Sequence, residues 1–94
     1  MDESIKIYHD FQKTDDERRL ILSLNGTTQD LQKYKITLAE GLELTFWGDD
    51  LNDTGQPDPL IAEGVVTFNK NINEWVAKIN WDNLKHESEL NTLL

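Results

Sequence analysis

Apolar residues recur at every second position through most of this 94-residue chain. Across residues 5–11, Ile5, Ile7, His9 and Phe11 fall on one side and Lys6, Tyr8 and Asp10 on the other, which is the period of a strand. Residues 13–17 are polar and turn-prone. Leu20, Leu22 and Leu24 then alternate with Arg19, Ile21 and Ser23, so the two runs predict a hairpin. A helix over residues 15–24 competes, because an acidic start suits a helix N-terminus, but the strict alternation after Arg19 favours strand. Asn25-Gly26 ends that run. Thr27 and Asp30 have the spacing of a capping box, and Leu31 and Tyr34 share a face, which predicts a short helix through residues 27–35. So short a helix has to lie on something.

The second half repeats the strand period more cleanly. Leu42, Leu44 and Phe46 face one way, and Glu43, Thr45 and Trp47 the other. Leu60, Ala62, Gly64, Val66 and Phe68 line one side of a long strand, with Gly64 read as a bulge or sharp bend. Residues 69–73 form a hairpin loop rich in Asn, which tolerates left-handed backbone angles. Trp75, Ala77, Ile79 and Trp81 close the set. These elements predict a mainly β fold: a small five-stranded antiparallel SH3-like barrel with one short helix between the second and third strands. An α+β arrangement, an antiparallel sheet with the helix across one face, is the alternative. The expected domain spans residues 1–88, with residues 89–94 as a frayed tail.

Composition narrows the function classes. Eighteen Asp and Glu against nine Lys and Arg give a net charge of −9. That excess repels phosphate backbones and anionic lipid, and no basic stripe offsets it, so neither nucleic acid nor membrane is expected as a partner. A basic protein or a cation is electrostatically suited. The chain has no cysteine, which removes disulfides, thiolate metal sites and thiol nucleophiles. With no secretory leader pattern and no run of about 20 apolar residues, a cytoplasmic location is expected.

The pattern Gly26-Thr27, Asp30-Leu31, Ile36, Leu38, Glu40-Gly41-Leu42, Leu44-Thr45, Asp49-Asp50, Gly55, Pro57-Asp58, Glu63-Gly64-Val65-Val66, Trp75-Val76-Ala77 and Ile79-Asn80-Trp81 resembles that of small uncharacterised bacterial proteins. Lys85-His86-Glu87-Ser88 continues the resemblance, which covers residues 11–88. It implies a shared fold and lends no mechanism.

Chemistry concentrates between the two most regular strands. Asp49, Asp50, Asp53 and Asp58 fall within ten residues, directly after Phe46-Trp47. With Leu42, Leu44 and Phe46 inward, Trp47 points outward with Tyr8, Ile21, Val65 and Val76, unless the helix (through Leu31 and Tyr34) or the tail covers them. An aromatic ring beside carboxylates suits a basic or aliphatic partner side chain. The leading expectation is therefore a non-catalytic interaction module without cofactor, binding a basic protein through Trp47, Asp49, Asp50, Asp53 and Asp58. The second is a divalent-cation-binding or metal-regulated domain. Asp50, Asn52, Thr54 and Gly55 match calcium-loop positions 1, 3, 5 and 6, but position 12 is Ile61, so Asp50, Asn52 and Thr54 are weak candidates and no metal site is assigned. The third is an enzyme subunit or regulator. His86, Glu87 and Ser88 have the composition of a triad but lie adjacent in sequence, and a triad is defined by geometry. His9, alternating with Ile7 and Phe11, reads as a partly buried structural histidine.

Overall fold

The computed structural model describes residues 5–91. Strand β1 (Ile7–Tyr8) and strand β2 (Leu20–Ile21) are two residues each; helix α1 (Asn25–Lys33) follows, then β3 (Glu43–Gly48), β4 (Leu60–Asn69) and β5 (Glu74–Ile79). A single 3-10 turn (Trp81–Asn83), a two-residue β6 (Lys85–His86) and helix α2 (Glu87–Asn91) end the described chain. The three long strands are those with the longest uninterrupted alternation. They form antiparallel hairpins, with Phe46 opposite Ala62 and Val66 opposite Ala77. The loop between β4 and β5 falls on residues 70–73 as expected, with Asn73 at a φ of 58°.

The two short strands depart from the predicted hairpin. The sheet order is β1-β3-β4-β5-β2, with β6 beside β4. β1 runs parallel to β3, placing Ile7 against Phe46 and Tyr8 against Trp47, so the sheet is mixed, not wholly antiparallel. Only residues 13–21 fold back on themselves, through an isolated Thr14–Leu20 bridge and a tight turn at Asp15. The reason is burial. Ile7 and Leu20 each reach full burial against a different long strand, which a private hairpin would not provide.

β1 and β2 therefore sit on opposite ends of the strand order, although only eleven residues separate them in sequence. A flat five-stranded sheet would hold its outer strands roughly 19 Å apart. Instead the sheet curls into a half-barrel, and His9 spans the seam. Its Nδ1 accepts the Phe11 N–H at 2.9 Å, so the proton sits on Nε2, which donates to the Ile21 carbonyl at 2.8 Å. The His9 N–H meanwhile donates to the Trp47 carbonyl. His9 has no exposed surface; it is structural and wholly buried, not partly so.

Inside the curl lie Ile7, Phe11, Leu20, Leu22, Leu31, Phe46, Ala62, Val66, Ala77 and Ile79. Gly64 is not a bulge. It pairs in regular register with Leu44 and Ile79, and a side chain there would press within 3.1 Å of the Phe46 ring and 2.9 Å of the Ile79 side chain. Helix α1 begins three residues earlier than the capping box implied, with Leu24 at its N-cap in place of Thr27 and no side-chain cap. Thr27 and Asp30 serve the sheet. The Thr27 hydroxyl donates to the Tyr8 carbonyl at 2.6 Å, and Asp30 accepts the Tyr8 N–H at 2.9 Å. Those are the two backbone groups that β1 points away from β3, so the helix seals the open edge.

Burial pushes the His9 imidazole below its ordinary value, outweighing the Ile21 carbonyl and Asp10, which act the other way. The unfolded chain thus takes up the proton first. The stability from His9 is complete above about pH 6.5 and is lost as pH falls from there through the lowered folded value. His9→Ala should cost about 3 kcal/mol, from two orphaned backbone groups and a cavity. Urea unfolding at about pH 7.5 and about pH 5.5 should show the stability gap between wild type and variant narrowing on acidification, since the opposite contribution of other groups is common to both.

Candidate functional site

Past the Gly48–Leu60 pair, β3 and β4 separate and residues 49–59 bridge them. The loop folds on itself. Leu51 and Pro57 form an isolated bridge, and the Asp58 N–H donates to the Asp50 carbonyl at 2.9 Å. Asn52 Oδ1 accepts from the Thr54 N–H, the Thr54 hydroxyl and the Gln56 N–H, and Gly55 takes a φ of 81° at the tip. This is the use to which Asn is put in turns. It engages the oxygen that a calcium loop would need from position 3.

The chain end then returns to this loop. β5 stops at Ile79, the 3-10 turn steps sideways, and β6 takes the place alongside β4 that β5 has vacated, with His86 opposite Leu60 and Lys85 opposite Ile61. Four polar contacts follow. His86 Nε2 lies 2.7 Å from Asp50 Oδ2. The Glu87 N–H donates to the Pro59 carbonyl at 2.8 Å. The Ser88 N–H and hydroxyl donate to the two oxygens of Asp58 at 3.0 and 2.7 Å. Asp58 is 7% exposed and caps the first turn of α2 from a distant part of the chain. Glu89 adds a further link, accepting the His86 N–H at 2.8 Å and lying 3.4 Å from Nδ1.

The charges of this latch reinforce one another. The Asp50 hydrogen bond, with the Asp58 and Glu89 carboxylates, raises the His86 imidazole above its ordinary value despite some desolvation. His86 in turn holds Asp50 low, and the Ser88 hydroxyl and N–H hold Asp58 low. The backbone bond from His86 lowers Glu89. The raised value favours the protonated imidazole as a link among these carboxylates. Ser88 gives its one hydroxyl proton to Asp58, and His86 is engaged by Asp50, so the three residues of triad composition are wired to different partners.

The five residues expected to meet a partner are thus divided. Asp49 and Asp53 are exposed, Asp50 is tied to His86, and Asp58 is buried under Ser88. Trp47 is half-buried on the face opposite the fully buried Phe46. Its ring meets the Tyr8 ring edge-on, 5.1 Å between centroids, and borders a hollow of about 210 Å³ shared with Lys6, Tyr34, Pro59, Ile61 and Glu87. The helix end and the tail each cover part of it. Sequence reasoning missed Leu51, 59% exposed among the loop aspartates. Its position in a run of acids was the available signal. It also missed the pairing of the loop with the Lys85-His86-Glu87-Ser88 segment. Among the described residues no group of three or more His, Asp or Glu side chains is placed to hold a metal ion, and no helix is long and apolar enough to cross a membrane.

A second concavity of about 1070 Å³ lies at the far end of the sheet, bounded by Glu43, Glu63, Val65, Lys78, Trp81 and Arg18. The Arg18 guanidinium sits 4.7 Å above the Trp81 ring, whose N–H donates to the Arg18 carbonyl. No family model, curated protein or solved structure matches the chain, so the functional reading rests on this geometry.

The two histidines should titrate on opposite sides of about 6.5, His86 above and His9 below, in a pH series of imidazole NMR shifts. For His86 the sign is the reverse of that for His9. Its link to Asp50 is complete below about pH 6.5 and is lost as pH rises through the raised folded value. The lowered Asp50 and Asp58 lose their contribution only as pH falls below the ordinary 3.8.

Proposed function

We propose that this chain is a small, non-catalytic interaction module that docks a basic protein segment on the loop at residues 49–58. The observation that carries the reading is Leu51, an aliphatic side chain left 59% exposed between Asp49 and Asp53 in a chain of net charge −9. An apolar anchor ringed by carboxylates matches a partner aliphatic group flanked by Lys or Arg, with the charges hastening encounter and the apolar contact setting residence time. Trp47, at the foot of the loop, extends the surface toward Pro59. The cation-binding reading of the same loop has less support, because Asn52 Oδ1 already holds three donors and Asp50 holds His86.

An immobilised peptide of alternating Lys and Leu provides the test, in surface plasmon resonance at about 50 mM and about 500 mM salt. The double substitution Asp49→Lys, Asp53→Lys should slow association about tenfold at low salt and leave the melting temperature unchanged, since both side chains are exposed. Leu51→Ser should quicken dissociation at either salt. Binding indifferent to all three substitutions sinks the proposal.

A further inference from the structure

Residues 85–91 lie along the edge of β4 in the manner of an added peptide strand. β6 adds to β4 by backbone pairing at Leu60 and Ile61, while side chains from the loop read the added segment: Asp50 takes the imidazole of His86, and Asp58 takes the N–H and hydroxyl of Ser88. Main-chain pairing for affinity and spaced side-chain pockets for specificity is how sheets capture extended peptides. The occupant is held lightly. Only two residues pair, α2 has five residues, and Glu87, Ser88, Glu89 and Leu90 are all exposed.

We propose that this edge is a strand-exchange site. A partner segment with a cationic side chain followed two residues later by Ser or Thr displaces residues 85–91 and pairs with Leu60–Ile61. The argument is one of matching donors. Asp50 is best matched by a charged donor, which a partner Arg or Lys supplies at any physiological pH and His86 supplies only while protonated. An Arg adds a two-pronged fit to the carboxylate. Asp58, 7% exposed, needs an N–H and a hydroxyl on the same residue to satisfy both of its oxygens. The Pro59 carbonyl needs a backbone N–H from the residue between them, which any residue but proline provides. The resident tail competes with the partner, so the apparent affinity of the site is reduced by the fraction of time it stands open. The inference rests on the reading of the chain as an interaction module and names a second contact for the same partner, beside the Leu51 loop.

The probe is a synthetic acetylated, amidated peptide with the sequence of residues 84–89 in which Arg replaces His86. It is titrated into the 15N-labelled full chain and into the full chain carrying His86→Ala and Ser88→Ala, which loosens the resident tail without altering β4. The expected result is amide shift changes at Asp50, Asp58, Leu60 and Ile61, with at least a tenfold lower Kd for the double variant. A third protein with Asp50→Asn and Asp58→Asn added to that variant should lose the response while its remaining spectrum stays folded. Equal affinity for wild type and double variant, or shifts confined to Asp49, Leu51 and Asp53, overturns the exchange site. The second of those outcomes leaves the loop-docking function standing, whereas absence of Lys–Leu peptide binding in the earlier test removes the function itself.

Discussion

A curled sheet whose outer strands are neighbours in sequence has one demanding joint, the seam where those strands meet without a ladder of their own. Here a single imidazole makes the joint, one nitrogen accepting from the Phe11 backbone and the other donating to the Ile21 carbonyl. The Phe11 amide is buried and the Ile21 carbonyl partly so, and leaving them unpaired would cost more than their pairing contributes. The ring also packs edge-on against Phe11 and Phe46, so it fills the seam as well as bonding across it. Ile7, Leu20, Phe46, Val66 and Ala77 converge on one core because this closure holds. The turn feeding β2 is braced in the same manner. Buried Asp15 accepts from the Glu17 and Arg19 N–H groups, Arg19 Nε and Asn69 Nδ2. Burial acts to raise Asp15, and these bonds outweigh it and hold it low.

Joining the two ends of the strand order leaves the β3–β4 loop to be held separately. The tail does this through a second histidine used in the opposite sense, shifted upward and partly exposed where His9 is shifted downward and buried. The two carboxylates it reaches, Asp50 and Asp58, were indistinguishable from Asp49 and Asp53 as letters. The fold sorts them, giving two to internal structure and two to solvent. A net charge of −9 therefore overstates what the loop itself can offer a partner. The exposed leucine within it becomes correspondingly more informative than its acidic neighbours in sequence.

Legibility followed the length of each pattern. β3, β4 and β5 span six to ten residues of alternation, enough for the period to fix which face is inward, and the prediction that Phe46 lies inside and Trp47 opposite it agrees with their burial. β1 and β2 pair over two residues each. At that length alternation states which side is buried but carries nothing about which strand lies alongside, and the predicted hairpin failed there. Thr27 and Asp30 have the spacing of a self-contained helix cap, yet their oxygens serve Tyr8. That distant contact leaves no local mark, because a side chain satisfies a backbone group equally well near or far in sequence.

The amino-acid order alone determined a β-rich chain with a short helix between its second and third strands, an inward set of alternating residues, an acidic loop, and a net charge of −9. Those are properties of periodicity, turn chemistry and composition, each readable within a window of ten residues or so. Tertiary structure decided the rest: the parallel β1–β3 pair, the His9 seam, and the return of His86 and Ser88 to Asp50 and Asp58, contacts spanning 36 and 30 residues. Such pairings depend on where the curled backbone delivers each group, and closing the sheet is what delivers them.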